Sequence, residues 1–185
     1  MLFLNVHMNI LFPNNNECEL TQKISNSGAS DFIFAYYSLS LAIEKNAAFV
    51  LTDVFIDKIG LKKLKSTLRN MSLVLYDGKS SSKYLNYVLK KEIVSVVFGL
   101  ECGVQKDGYK SPGTLLTPEV VQLLKNHDIR YGFCASDILQ ELSSRSNILL
   151  PRLRLNATLA KKKIVFSGNA FSLSAILAVK SLLFK

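Results

Sequence analysis

"SSKYLNYVLKKEIVSVVFG", residues 81–99, is the stretch whose reading decides the fold. Its first two thirds read as a helix with Tyr84, Leu85, Val88 and Leu89 on the inward face, the spacing of an amphipathic helix. IVSVVFG (93–99) then reads as a strand, apolar at nearly every position. A strand of that kind suits a sheet covered on both faces, which is the usual state of parallel sheets.

The same alternation extends in both directions. Upstream, LFLNV (2–6) reads as a strand, and ECELTQKISNSG (17–28) as a helix stopped by Gly28. DFIFAYY (31–37) is a strand, a short helix follows near 39–45, and AAFVLTD (47–53) is the next strand. GLKKLKSTLRN (60–70) predicts a helix with Leu61, Leu64 and Leu68 on one face, and SLVLYDG (72–78) a strand closed by Asp-Gly. Downstream, Thr117 and Pro118 form a helix start, with a hydroxyl N-cap and a proline at the position where its missing N–H costs nothing. That helix ends near His127, and IRYGFC (129–134) is a strand. Helical segments near 136–142 and 147–161, strand KIVFS (163–167) and a helix over 172–184 complete the chain. No hairpin signal interrupts the order, so the pattern predicts an α/β protein with a parallel sheet in one domain over 1–185. Composition does not choose between an open doubly wound sheet and a closed barrel.

The 185 residues are 49% apolar and 20% charged, which fits one domain with a sizeable core. The net charge of +9 points to a polyanionic partner, nucleic acid first, although a basic balance also serves solubility alone. Cys18, Cys102 and Cys134 are odd in number and form no CxxC pair, which argues against a disulfide frame or zinc site and for a reduced compartment. The N-terminal MLFLNVHMNI lacks the pattern of a signal peptide. The uncharged run 164–179 is shorter than the ~20 apolar residues of a membrane helix, so no membrane association is expected.

Candidate chemistry is sparse. His7 stands just past the predicted first strand, where metal-hydrolase barrels carry an HxH pair, but the second position is Asn9. His127 is the other histidine, so a multi-metal centre is short of imidazoles. Cys102 and Cys134 have no histidine at a recognisable spacing, and GxSxG is absent. Asp53, Asp77, Glu101 and Asp137 fall near strand or helix ends, a common placement in this architecture. Ser167-Gly168-Asn169, between the last strand and last helix, reads either as a plain turn or as a phosphate cradle at a helix N-terminus. The second reading would make the chain a small barrel enzyme acting on a phosphorylated substrate.

The stretch LLPRLRLNATLAKKKIVFSGNAF (149–171) carries the strongest charge signal. On a helical projection Leu149, Leu153, Ala157 and Ala160 share an inward face. Arg154, Lys161 and Lys162 flank it on one side, and Arg152, Asn156 and Lys163 on the other. No acidic residue occurs from 142 to 185, whereas solvated helices usually mix both signs. Lysines near a helix C-terminus also complement the dipole, which is a purely structural use.

These blocks resemble the ribonuclease P protein component 3 family of archaea and eukaryotes. IRYGFCASDIL (129–139) is similar to a family block in which a strand ends in Gly-Phe before a short helix. NILLPRLRLNATLAKKKIVFSGNAF (147–171) and LAVKSLLFK (177–185) are similar to its basic helix, its Ser-Gly strand end and its final helix. YKSPG (109–113) is similar to its basic-Pro-Gly loop and FLNVH (3–7) to its first strand. The chain departs from the family near Thr117-Pro118, where a histidine or charged residue is common. It departs again at Phe171-Ser172-Leu173, where Arg-Pro-Arg-like residues are common.

The resemblance implies a small, TIM-like parallel (β/α) barrel of about seven to eight strands, complete or short of one, without a metal site. It implies an RNA-binding, non-catalytic subunit of ribonuclease P, the endoribonuclease complex that removes the 5′ leader from precursor tRNA in tRNA processing. The RNA subunit would hold the catalytic Mg²⁺, and the chain would bind no cofactor. Partners would be ribonuclease P RNA, a small protein subunit and, indirectly, precursor tRNA. The location would be cytoplasmic, or nuclear and nucleolar in a eukaryote. Residues expected at the RNA are Lys110, Arg145, Arg152, Arg154, Asn156, Lys161, Lys162, Ser167 and Gly168.

Overall fold

The structure is a computed structural model that describes residues 9–27, 32–79, 83–102, 114–134, 138, 149–160 and 164–169. Seven strands are described: β1 (Asn9–Phe12), β2 (Phe32–Tyr36), β3 (Ala48–Leu51), β4 (Val74–Asp77), β5 (Val96–Phe98), β6 (Arg130–Cys134) and β7 (Ile164–Asn169). They lie in sequence order and every neighbouring pair is parallel. β1 also pairs with β7, so the curled sheet returns to its first strand. The α/β class and the parallel sheet expected from the alternation are present.

Seven helices are described: α1 (Glu17–Ser27), α2 (Leu39–Glu44), α3 (Asp53–Ile59), α4 (Leu61–Thr67), α5 (Leu85–Lys90), α6 (Pro118–Asn126) and α7 (Leu149–Ala160). A 3-10 turn, η1, spans Leu100–Cys102. No described helix is long and apolar enough to cross a membrane.

The core has two layers because strand side chains alternate between faces. Ile10, Ala35, Ala48, Val50, Leu75 and Phe98 form an apolar cluster on the concave side. Phe49, Leu51, Tyr76, Val97, Tyr131 and Phe133 face the helices and pack with Leu64, Val88, Leu89, Val120 and Leu153. β3, β4 and β5 are therefore buried at every position, as the apolar run 93–99 predicts.

Capping explains the helix starts. The Ser38, Thr52 and Thr117 hydroxyls accept from the backbone N–H groups of Leu41, Phe55 and Val120, and Pro118 holds the first position of α6. Three helix ends share one device. Asn46, Glu92 and Asp128 take left-handed backbone after α2, α5 and α6. The next residues, Ala47, Ile93 and Ile129, donate back to Ala42, Val88 and Leu124 carbonyls at 2.9–3.0 Å. This is the Schellman arrangement, and it aims each chain into the following strand.

The first described strand is Asn9–Phe12, and the expected strand 2–6, with His7 after it, lies outside the described residues. Two sequence expectations are corrected. Residues 53–59 form a helix that the periodicity missed, separated from α4 by Gly60 with φ +83°. Finally, β7 runs on through Ser167, Gly168 and Asn169. The helix expected over 172–184 lies outside the described residues, as does the segment near 136–142 except Ile138.

Candidate functional site

α7 packs its inner side against η1 and β6. Leu153 and Ala157 are buried there, as the helical projection requires. Asn156 is also on that side, at 0% exposure, and both ends of its amide are engaged. Its Nδ2 donates to the Tyr131 hydroxyl at 2.9 Å, and its Oδ1 accepts from Thr114 Oγ1 at 2.8 Å. The Tyr131 hydroxyl in turn donates to Glu101 Oε2. Arg152 Nη1 reaches the backbone carbonyl of Glu101 at 3.4 Å. Leu115 N donates to the Leu100 carbonyl at 3.3 Å, and Leu116 N to Thr114 Oγ1 at 3.1 Å.

These bonds tie Glu101 and Thr114 to α7, directly or through Tyr131. A buried polar network of this kind is costly when any member is removed and rigid when all are present.

The expected RNA-facing residues are placed unevenly. Arg154 is exposed, while Arg152, two residues away and therefore about 200° around the helix, leans on η1. The two arginines do not share one outward face. Asn156 is corrected from a surface position to a core one, because Tyr131 and Thr114 enclose it. Ser167 and Gly168 are corrected from a turn to strand positions: Ser167 is in register with Ile10 and Cys134, and Gly168 with Leu11. A phosphate cradle built on a turn at 167–169 therefore loses its geometric premise. Lys110, Arg145, Lys161 and Lys162 lie outside the described residues, as do His7 and Asp137.

The strand-end carboxylates have an unexpected common feature. Asp53 accepts from the Tyr76 hydroxyl and from Lys83 N at 3.0 Å. Asp77 accepts from the Tyr37 hydroxyl at 3.0 Å and from Lys79 N at 3.0 Å. Glu101 takes Tyr131, Glu17 takes Tyr36 at 2.8 Å, and Asp57 takes both Tyr84 and Lys83. Burial, with the neighbouring carboxylate second, pushes the Tyr36 hydroxyl up to about 12 and the Tyr76 hydroxyl further still. Glu17 is held below its ordinary value, first by backbone hydrogen bonding and then by Tyr36. The Lys83 ammonium and then the Tyr84 hydroxyl lower Asp57.

At the carboxyl end of the sheet, Phe12 stacks on Tyr37 and packs against Phe98 at ring separations of 5.9 and 5.7 Å. Lys79 lies over the Phe98 ring, 5.7 Å from its centre. A cleft of about 340 Å³ lies to one side, between the loop after β1 and α2, lined by Asn14, Asn15, Glu17, Tyr36, Glu44 and Lys45 among others. Among the described residues no group of three or more His, Cys, Asp or Glu is arranged to hold a metal ion. Cys18 is an exposed free thiol.

Sequence reading missed the partners that define the α7 clamp. Tyr131 and Thr114 are distant from Asn156 in the chain, and no local period marks them. The chain matches no protein-family model, and no curated protein matches it significantly.

Proposed function

We propose that the chain is an RNA-binding protein subunit of ribonuclease P, supporting the catalytic RNA in removal of the 5′ leader from precursor tRNA. Its sheet would then be the TIM-like barrel of that family. The observation that carries the reading is the clamp through Asn156, Tyr131, Glu101 and Thr114. It ties α7, which belongs to the block most like the family's basic helix, to Glu101 and Thr114. The +9 charge and the acid-free stretch 142–185 give that block a field suited to phosphates.

In this role the chain contributes positioning and charge neutralisation. The RNA supplies the metal-dependent hydrolysis, and a small protein subunit completes the assembly. The strand-end carboxylates are taken up by tyrosine hydroxyls, which supports a scaffold in place of an acid–base pair.

The test is processing of precursor tRNA with Mg²⁺ by a native complex purified through this chain. Activity should vanish after ribonuclease treatment of the complex and should be absent from the pure chain. Activity that survives removal of the RNA, or cleavage by the pure chain lost on His7→Ala, would refute the reading.

A further inference from the structure

α4 carries a second basic surface. Leu61, Leu64 and Leu68 pack inward, with Leu64 and Leu68 buried. Lys62, Lys65 and Arg69 follow at i, i+3 and i+7, which puts them within about 60° of one another, on a face about 100° around from the leucines. All three are exposed, and Arg69 extends the row into the turn after the helix. Lys58 and Lys63 stand on the flanks, also exposed. No acidic residue occurs between Asp57 and Asp77, and Asp57 itself is bound by Lys83 and Tyr84. Among the described residues none of these five cations is in an ion pair. A helix stabilised by its own surface charges would mix signs at i,i+4; this one does not.

The row has the chemistry of a phosphodiester backbone site. It spans about 10 Å at 1.5 Å rise per residue, and a duplex strand presents one phosphate per about 3.4 Å of axis. Lysine heads act as point charges that neutralise phosphates without reading bases. An anionic membrane would also attract cations, but interfacial helices bury an exposed apolar face. The exposed positions of α4 are Lys62, Lys63, Lys65 and Ser66, with Arg69 just beyond its end, and its leucines face the core.

α4 lies between β3 and β4, and α7 between β6 and β7, three strands away along the sheet. We propose that Lys62, Lys65 and Arg69 form a second RNA-backbone docking face, separate from α7, so that one chain holds two RNA segments at once. The proposal rests on the RNA-binding part of the reading above but requires no ribonuclease P RNA.

The experiment uses the full chain and two unrelated RNA hairpins, one immobilised and one fluorescent, across a KCl series. The wild-type chain should capture the fluorescent hairpin on the immobilised one. Lys62→Ala/Lys65→Ala/Arg69→Ala should keep binding to a single hairpin, lose the capture of the second, and lower the salt slope by about two to three. Lys62→Arg/Lys65→Arg/Arg69→Lys should restore both, and circular dichroism should show the same melting temperature for all. An unchanged slope and unchanged capture in the alanine variant would overturn the proposal while leaving the ribonuclease P reading to its own processing assay. Loss of binding to phosphatidylserine vesicles, with RNA binding intact, would assign the face to lipid and also overturn it. Wild-type chain that captures no second hairpin would overturn the two-segment claim directly.

Discussion

Replacing Asn156 with alanine should destabilise the fold strongly although it removes only a small polar side chain. Asn156 is fully buried and makes two hydrogen bonds, one to Tyr131 and one from Thr114. Each bond contributes about 1 kcal/mol net, and a buried donor left without its partner costs about 1–3 kcal/mol more. The donor left here is the half-buried Thr114 hydroxyl, so that penalty falls at its low end, and Tyr131 keeps its own bond to Glu101. The expected loss is about 2–4 kcal/mol, which for a chain of this size lowers the melting temperature by roughly 5–15 °C. Urea unfolding followed by circular dichroism measures it. Pairing Asn156→Ala with Thr114→Val in a double-mutant cycle isolates the shared bond, with an expected coupling near 1 kcal/mol. A single-variant loss below about 0.5 kcal/mol, the range of neutral surface changes, would refute the clamp. Strict additivity in the cycle would refute the Thr114 contact alone.

Gly99→Ala should cost about 1–3 kcal/mol, read by the same unfolding assay. The backbone there is left-handed at φ +79°, and a Cβ would sit 2.3 Å from Lys79 Cγ and 3.1 Å from Lys79 N. The raised Tyr36 hydroxyl makes stability full below pH 10 and falling as pH rises from 10 to about 12, because the folded chain keeps a proton that the unfolded chain releases. Tyr36→Phe should flatten the dependence of unfolding free energy on pH over that window; an unchanged slope would remove Tyr36 as a cause. Arg154→Ala should reduce the RNA salt slope by about one without changing the melting temperature, since the side chain is exposed. Asp77→Ala should cost about 1–2 kcal/mol through loss of its bonds from the Tyr37 hydroxyl and the Lys79 N–H, and leave the RNA salt slope unchanged. Intact stability with altered RNA processing would instead put chemistry at the sheet's carboxyl end.

Local signals made much of the fold legible. Val120 and Thr117 meet as the Thr-Pro helix start requires, and Leu64 and Leu68 pack inward as their spacing requires. What these signals left out depends mostly on partners far away in sequence. NILF is a short apolar run, and its pairing with Phe32–Phe34 and with Phe166–Asn169 makes it a strand. Ser167-Gly168-Asn169 looks like a turn until Ile10, Leu11 and Phe12 offer it a parallel partner. α3 is a single seven-residue helix with Val54 at 78% exposure, so it shows no clean apolar stripe. Asn156 is polar and its neighbours in sequence do not betray its burial; Tyr131, 25 residues away, does.

The carboxyl end of a parallel β/α sheet is where such folds usually keep their chemistry. In this chain that end is occupied by its own side chains. Phe12, Tyr37 and Phe98 pack together there, and Lys79 lies across Gly99 and Phe98. Asp53 and Asp77 each accept one phenol hydroxyl and one backbone N–H, and each N–H belongs to the chain just after β4. Their carboxylates therefore fix the turns around Gly78 and Lys83. A carboxylate poised for proton transfer needs an approach for substrate, and these two have the fold on both oxygens. Among the described residues, exposed cations outside any ion pair lie on the helices, at Lys62, Lys65 and Arg69 by α4, Lys90 and Lys91 by α5, Lys125 on α6 and Arg154 on α7, where a long polyanion can reach them without entering the sheet. If the proposed RNA-binding role holds, Lys62, Lys65, Arg69 and Arg154 are positions where a polyanion would be held from outside the sheet.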